Sequence, residues 1–180
     1  MKLAELGEGD GAAHLRPTSE RVREAIFNLL RHGPHGDPVP GARVLDLFAG
    51  TGALGLEALS RGAAAVTFVD DGARALGLLR SNIGRMRAEG LATVLRQDAT
   101  RLPANPGAPF SLVFLDPPYG RALGEAALAA AARGGWLAPA ALVVWEESHP
   151  PAVPPGFRPL DQRRYGDTRV TLLRAPGDAA

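Results

Sequence analysis

The segment Asp116-Pro117-Pro118-Tyr119 carries residue types suited to chemistry on the amino group of a nucleobase. It follows the apolar run 112–115, which predicts a buried strand ending at the carboxylate. The two prolines stiffen the loop and remove two N–H donors, which leaves carbonyl oxygens and one carboxylate in a fixed array. The Asp116 side chain and the Pro117 carbonyl can accept the hydrogens of an exocyclic amine, while the Tyr119 ring can stack on the base. We predict these four residues to be catalytic, aligning an amine for methylation.

A glycine-rich segment, residues 46–55 (DLFAGTGALG), lies between a strand pattern and a helical pattern. Glycines let the backbone turn sharply and let a ligand approach without obstruction by a Cβ atom. The spacing Gly50-x-Gly52-x-x-Gly55 matches the dinucleotide fingerprint, and Asp70 ends the next predicted strand, where a carboxylate can accept both hydroxyls of a ribose. These two features predict a nucleoside-containing cofactor.

Asp46 favours S-adenosylmethionine over a dinucleotide as that cofactor. A carboxylate just before the glycines would repel a diphosphate but attract an ammonium group, and S-adenosylmethionine carries an amino-acid head and a sulfonium without phosphate. The pattern Asp-x-Phe-x-Gly-x-Gly is similar to motif I of class I methyltransferases. A further acid after a strand, Asp98, is placed to accept from the exocyclic amine of adenine, although such a residue alone more often caps a helix. The predicted cofactor-binding residues are Asp46, Phe48, Ala49, Gly50, Thr51, Gly52, Asp70, Asp71, Asp98 and Ala99.

The composition excludes several related chemistries. The chain has no cysteine, which removes the thiolate used for methylation at pyrimidine carbon 5 and all cysteine metal sites. Lys2 is the only lysine, so ribose methylation by a lysine-based site is excluded, and Asp at position 116 disfavours methylation of protein glutamine. The four histidines are scattered, so we expect no metal. A DNA enzyme would need a target-recognition domain, for which 180 residues leave no room. Among the methyltransferase classes considered, these exclusions leave a small enzyme that acts on a base of structured RNA.

Charge and hydropathy give expectations about location and partner. Twenty Lys and Arg against nineteen Asp and Glu give a net charge of +1, so only a local basic surface could bind phosphate. The first ten residues lack the apolar run of a signal peptide, and the most apolar stretch, Gly134–Trp145, is too short to span a bilayer. We therefore expect a cytoplasmic protein without membrane contact.

Apolar periodicity predicts the elements that would position these residues. Helices are predicted over Thr18–Leu30, Ala53–Arg61, Ala73–Ala88 and Leu123–Arg133, and strands over Arg43–Phe48, Ala65–Asp70, Thr93–Arg96, Phe110–Asp116, Leu142–Glu146, Leu160–Tyr165 and Thr168–Arg174. This alternation predicts an α/β fold with a doubly wound, mostly parallel sheet, and the Gly166-Asp167 turn predicts an antiparallel C-terminal hairpin at its edge. We expect a single domain over residues 16–176, between a flexible arm at 1–15 and a tail at 177–180.

Two long segments resemble a known family, the bacterial 16S ribosomal RNA guanine-N2 methyltransferases of the RsmD type. Residues 16–30, RPTSERVREAIFNLL, look like the N-terminal signature of that family. Residues 45–62, LDLFAGTGALGLEALSRG, are similar over their full length. The resemblance runs from Leu15 to about Arg174, with matching positions at Asn82, Asp98, the Asp116 loop, Glu146 and residues 165–168.

The resemblance implies a Rossmann-like class I methyltransferase with a seven-stranded sheet and S-adenosylmethionine as cofactor. It implies transfer to the exocyclic N2 amine of a guanine in 16S ribosomal RNA, within the small subunit or an assembly intermediate. Arg16, Pro17 and Thr18 would approach the cofactor or the target base, so these residues and Tyr119 are the predicted substrate-binding residues. A monomer is the usual state in this family.

Two departures from the family pattern bear on substrate binding. Members usually begin with a basic, glycine-rich hairpin, whereas residues 1–15 here are shorter and acidic, with Glu5, Glu8 and Asp10. The segment expected to grip RNA phosphates is therefore missing or truncated. Gly72 stands where members often place a second acid, although Asp70 and Asp71 remain.

Three other functions stay open at this point. The first is another base amino-methyltransferase, acting on N6 of adenine or N4 of cytosine. The second is an NAD(P)-binding oxidoreductase that uses the glycine turn, although no Tyr-x-x-x-Lys or suitably placed histidine follows to donate a proton. The third is a non-catalytic RNA-binding assembly factor, which the intact Asp116 loop argues against.

Overall fold

In the computed structural model, which describes residues 19–178, the first helix begins directly after Ser19. The Ser19 hydroxyl accepts a hydrogen bond of 3.2 Å from the backbone N–H of Val22, which caps helix α1 (Glu20–His32). The buried residues of α1 are Val22, Ile26, Phe27 and Leu30, which lie on one face of the helix. The predicted arm and Arg16, Pro17 and Thr18 lie outside the described residues.

Seven strands form one sheet, and their bounds follow the predicted pattern closely. They are β1 (Arg43–Leu47), β2 (Ala65–Asp70), β3 (Ala92–Arg96), β4 (Phe110–Leu115), β5 (Leu137–Glu147), β6 (Arg158–Tyr165) and β7 (Thr168–Arg174). The other helices are α2 (Ala53–Ser60), α3 (Ala73–Arg85) and α4 (Leu123–Arg133), with a short 3₁₀ turn at Ala99–Arg101. The order is β3-β2-β1-β4-β5-β7-β6, with β7 antiparallel to both of its neighbours and the rest parallel. The doubly wound sheet and its edge hairpin are confirmed.

The sheet is buried on both faces, which explains why β1 and β4 are almost continuously apolar. Alternate residues of these strands point to opposite faces. Val44 and Leu112 join a core with α1, α2 and α3, whereas Leu45 and Val113 join a second core with α4 and the 3₁₀ turn. Helices therefore cover both faces and leave the ends of the strands as the accessible edges.

Strand β5 is longer than the sequence predicts, beginning at Leu137 rather than Leu142. After Leu137, residues 138–141 are alanines and a proline, which have low strand propensity and hide the extension. The backbone is irregular there, because Ala140 has φ +57° and the register against β4 shifts between Phe110 and Leu112. The pairing regains its regular register from Leu142 onward, which is the part that the sequence identifies.

Strand order places the reactive segments side by side. The chain leaves β1 toward β2 on one side, and β4 returns to pair with β1 on the other, which creates a topological switch point. In open α/β sheets ligands bind outside the carboxyl ends of the strands at such a point. The glycine turn follows β1 and the Asp116 loop follows β4, and Leu47 of β1 pairs with Leu115 of β4. The two predicted segments therefore share one crevice.

Candidate active site

The glycine turn depends on backbone conformations that other residues rarely adopt. Gly50 has φ +58° and Gly52 has φ +85°, both in the left-handed region. A Cβ atom on Gly52 would overlap Cδ1 of Leu79, whereas one on Gly50 would meet nothing within 4 Å. Gly52 is therefore required by packing on α3. Gly50 instead borders open space at the switch point, where a ligand has room to approach the backbone.

Asp46 lies beneath this turn and holds it to helix α2. Its Oδ2 accepts a hydrogen bond of 3.1 Å from the backbone N–H of Gly55, and the residue is only 1% exposed. A Cβ atom on Gly55 would overlap the ring of Phe68 and crowd Oδ2 of Asp46, so glycine is needed for this approach. Burial raises the pKa of Asp46 well above its ordinary value, opposed by the Gly55 bond and reinforced by Asp116 and Asp70.

The Asp70 carboxylate at the end of β2 also holds the turn. Its Oδ2 accepts from the backbone N–H of Gly50 and its Oδ1 accepts from that of Gly72, each at 2.9 Å. Each carboxylate oxygen can accept a second hydrogen bond, so these contacts are compatible with the predicted binding of ribose hydroxyls. Asp71 is exposed beside it.

Asn82 supports the glycine turn from α3, a role that its sequence context did not reveal. Its Nδ2 donates a 3.0 Å hydrogen bond to the carbonyl of Thr51, and its side chain is fully buried. It lies on α3 between the core residues Leu79 and Ile83. A polar residue on the apolar face of a predicted helix was the available signal, because buried amides need a partner.

Asp98 after β3 adopts the capping role that was its alternative interpretation. Its Oδ1 accepts from both the backbone N–H of Thr100 at 2.9 Å and the Thr100 hydroxyl at 2.7 Å. The bond from the hydroxyl is the main reason that the pKa of Asp98 is lowered. The other oxygen, Oδ2, lies 4.0 Å from Nε of Arg101, and 45% of the Asp98 side chain is exposed. The contact of Asp98 with adenine stays a prediction. The neighbouring Ala99 is buried.

The Asp116 loop begins against β1. The backbone N–H of Asp116 donates to the carbonyl of Leu47 at 3.4 Å, which brings the start of this loop beside the glycine turn. Asp116 is half-buried, and Pro117 after it is buried. Asp116 and Asp70 both raise the pKa of Asp46, so each of these two carboxyl groups lies close enough to Asp46 to act on it electrostatically. Carboxyl groups gathered at one end of the sheet favour a cationic ligand over an anionic one.

The far end of the same loop is tied to the opposite half of the sheet. The hydroxyl of Tyr119 lies 3.1 Å from the hydroxyl of Thr168, the first residue of β7. The next backbone N–H, that of Gly120, donates to Oε1 of Glu147 at 3.3 Å. The sequence analysis missed Glu147 and gave Thr168 no role, because both come from strands distant in sequence.

Glu147 is buried at the end of β5, with only 2% of its side chain exposed. Desolvation raises its pKa above the ordinary value, and the nearby charge of Glu125 adds to this. Hydrogen bonds from the backbone N–H groups of Ser148 and Gly120, and the charge of His149, act in the opposite direction. Glu147 thus joins the Asp116 loop to the segment after β5.

The structure brings the predicted residues at the ends of four parallel strands, β1 to β4, to one edge of the sheet. Within residues 19–178 no helix is long and apolar enough to cross a membrane. The same range holds no group of three or more His, Asp or Glu side chains arranged to bind a metal ion. The predicted site residues in this range offer carboxyl groups, backbone carbonyls and the phenol of Tyr119.

Comparison with known proteins shows to which family the chain belongs. The family model described as Conserved hypothetical protein 95 matches residues 6–174. Ribosomal RNA small subunit methyltransferase D of Escherichia coli K12 is 41% identical over 163 residues, covering 89% of this chain and 79% of that protein. The chain belongs to this family. The protein of the same name from Haemophilus influenzae is 38% identical over 166 residues, covering 89% of this chain and 83% of that protein.

A solved structure of this family confirms the architecture. A provisionally assigned methyltransferase from Escherichia coli superposes with a TM-score of 0.78 at 36% sequence identity, covering 92% of this chain and 90% of that chain. The Rossmann-like class I methyltransferase fold that the sequence resemblance implied is therefore confirmed.

Proposed function

We propose that this chain is an S-adenosylmethionine-dependent methyltransferase that modifies the exocyclic N2 amine of a guanine in 16S ribosomal RNA of the small subunit. The observation that carries the proposal is the juxtaposition of the Asp116 loop with a glycine turn surrounded by carboxylates. The names of the relatives in Escherichia coli and Haemophilus influenzae support ribosomal RNA of the small subunit as the substrate.

The residues at the switch point fit S-adenosylmethionine better than a dinucleotide. The carboxylates of Asp70 and Asp116, which both act on Asp46, would repel a diphosphate, whereas they would attract the ammonium and sulfonium groups of S-adenosylmethionine. Gly50 faces open space, and the N-terminus of α2 has no acidic residue in its first turn, so it suits the carboxylate of the methionine moiety. Asp70 and Asp71 would hold the ribose, and Asp98 the adenine. When bound, the cofactor supplies a methyl group activated by its sulfonium.

The Asp116 loop would activate the amine. The lone pair of an exocyclic amine is delocalised into the base, so the nitrogen is a weak nucleophile until its hydrogens are held. The Asp116 carboxylate and the Pro117 carbonyl would accept these hydrogens and direct the lone pair toward the methyl group. The Asp116 carboxylate would also take the proton that the nitrogen must release. Tyr119 would stack on the flipped base.

The deciding experiment transfers labelled methyl groups to small ribosomal subunits that lack the modification, followed by nucleoside mass spectrometry. We expect N2-methylguanosine from 16S RNA. N6-methyladenosine or N4-methylcytosine would assign the other base amines instead. Absence of label, with S-adenosylhomocysteine still bound, would contradict the substrate and favour a non-catalytic assembly factor.

A thermal shift assay separates the cofactor classes. A ligand that binds only the folded chain raises the unfolding midpoint by mass action. We expect S-adenosylhomocysteine to raise it and NAD and NADP to leave it unchanged. The reverse result would favour the oxidoreductase hypothesis.

The substrate form, location and oligomeric state follow from the same proposal. The near-neutral net charge of +1 favours a protein-bearing ribosomal particle over naked RNA, because ribosomal proteins could help to dock the enzyme. Residues 16–176 would act as one domain, and the chain as a cytoplasmic monomer. Equal rates on naked RNA and on the particle would contradict the first expectation, and a dimeric mass in solution would contradict the last.

A further inference from the structure

The turn between β6 and β7 lies at the same edge of the sheet as the Asp116 loop. Because β7 runs antiparallel to β5, it begins beside the end of β5, and Arg169 pairs with Glu147. The hydrogen bond between the hydroxyls of Tyr119 and Thr168 joins this turn directly to the proposed base-stacking residue. The hairpin end therefore borders the place where the target nucleotide would enter.

Two arginines face each other across this end of the hairpin. Arg164 of β6 is directly opposite Arg169 of β7, so their side chains project from the same face. Like charges opposite each other destabilise a strand pair. Within residues 19–178 neither guanidinium forms an ion pair with a carboxylate, and Arg164 only donates from Nε to the carbonyl of Gly166 at 3.0 Å.

The nearby acidic residues do not neutralise these two arginines. Asp161 pairs with Arg163 at 3.1 Å, and Asp167 is exposed in the turn itself. Glu147 is opposite Arg169 on its other side, but its buried carboxylate accepts from Gly120 and Ser148. The two guanidiniums thus keep donors that can reach an external anion.

We propose that Arg164 and Arg169 bind phosphate groups of the RNA strand that carries the target guanine, an inference that rests on the proposed function. Guanidinium groups suit phosphate because their fixed donors match its oxygens. Successive residues of a strand alternate between faces, so the arginines project away from Thr168. They would therefore contact the backbone of flanking nucleotides rather than the target base. Such a contact would supply the basic grip that the acidic residues 1–15 lack.

The same hairpin offers a matched control. Arg158 of β6 is opposite Arg174 of β7, which repeats the arginine pair at the other end of the strands. Arg158 is exposed and lies six positions before Arg164 in the strand, a distance of roughly 20 Å. Removing Arg158 changes the net charge by the same amount, without touching the edge that carries the Asp116 loop.

The experiment measures binding of an unmodified 16S RNA transcript at several salt concentrations, with S-adenosylhomocysteine present. We expect Arg164→Ala and Arg169→Ala each to weaken binding about fivefold and to reduce the salt dependence by about one released counterion. Arg158→Ala should match the wild-type protein in both. Without RNA, Arg164→Ala should not lower the unfolding midpoint, because it relieves a repulsion.

The outcomes separate this inference from the proposed function. If the wild-type chain methylates subunits but Arg164→Ala and Arg169→Ala keep the wild-type affinity and salt slope, the phosphate contact is wrong and the function stands. If the two arginine variants lose activity on subunits but bind naked RNA like the wild-type chain, the phosphate contact is also wrong. The two arginines would then contact a ribosomal protein. If the wild-type chain transfers no methyl group to subunits or to transcript, the proposed function fails.

Discussion

The hydroxyl groups of Tyr119 and Thr168 lie 3.1 Å apart, although the two residues are 49 positions apart in the chain. This contact fixes the far end of the Tyr119 ring, while Pro117 and Pro118 restrict the backbone before it. An aromatic ring held at both ends presents a face of defined orientation. We therefore expect the contact to matter for the proposed stacking on a base more than for the stability of the fold.

Replacing Thr168 with valine tests this relationship. Valine keeps the shape of threonine but removes the hydroxyl, so a hydrogen bond worth about 1 kcal/mol is lost. We expect kcat for methyl transfer to fall about fivefold, with the affinity for S-adenosylhomocysteine unchanged. Thr168→Ser keeps the hydroxyl and should retain wild-type kcat. A valine variant with wild-type kcat would show that the contact does not position the ring.

Replacing Asp116 with alanine tests the proposed hold on the amine. Preorganised groups of this kind contribute factors of about 100 to 1,000 in rate. We expect a loss of kcat in that range while the S-adenosylhomocysteine thermal shift is retained, because the backbone of the glycine turn is unchanged. Asp178→Ala removes an exposed carboxylate at the end of the described chain and serves as control. An Asp116 variant with full activity would exclude the carboxylate from the reaction.

Much of this fold and site could be predicted from local sequence. Apolar runs predicted the inner strands, because β1 and β4 are buried on both faces and show their burial directly in composition. The mostly exposed β6 was predicted from the Gly166-Asp167 hairpin turn instead. The glycine turn and Asp116 loop were also visible, since proline and glycine constrain the backbone wherever they occur. The extension of β5 was missed because residues 138–141 are alanines and a proline, which give no compositional signal of a strand.

The supporting contacts could not be predicted in the same way. Glu147 and Thr168 meet the Asp116 loop only after β7 inserts between β5 and β6. That insertion determines which side chains become neighbours, and nothing in the local pattern of either strand encodes it. The contact of Asp98 could be predicted, because an aspartate side chain commonly accepts from a backbone N–H two residues later and so caps a turn such as the 3₁₀ turn after β3.

Replacing Gly50 with alanine tests the predicted approach of the cofactor. Gly50 has φ +58°, and its added Cβ would meet no protein atom within 4 Å. The change should cost about 1 kcal/mol in folding stability from backbone strain, and should also abolish the S-adenosylhomocysteine thermal shift by filling the space beside the turn. Gly41→Ala is the matched control, with φ +74° and equally open surroundings remote from the turn. Equal ligand shifts in both variants would contradict a cofactor at Gly50.

Replacing Glu147 with glutamine tests the buried carboxylate that supports the Asp116 loop. The pKa of Glu147 is raised above its ordinary value of 4.5, chiefly by desolvation. Between those two values the folded chain binds more protons at this site than the unfolded chain, so the stability contributed here falls as pH rises. Glutamine keeps an oxygen that can accept from Gly120 and carries no charge. Its stability relative to the wild-type protein should therefore increase as pH rises through this window.

Thermal or denaturant unfolding of the wild-type protein and of Glu147→Gln, between pH 4 and 7, measures the difference in their stability. This range of about three pH units extends above the ordinary pKa of a carboxyl group. Asp46 also has a raised pKa, but it is present in both proteins and cancels in the comparison. Glu89→Gln, which neutralises an exposed carboxylate, should show no such trend. If the Glu147 variant instead loses relative stability as pH rises, the ionised carboxylate stabilises the fold. Its two backbone hydrogen bonds would then outweigh the cost of burying its charge.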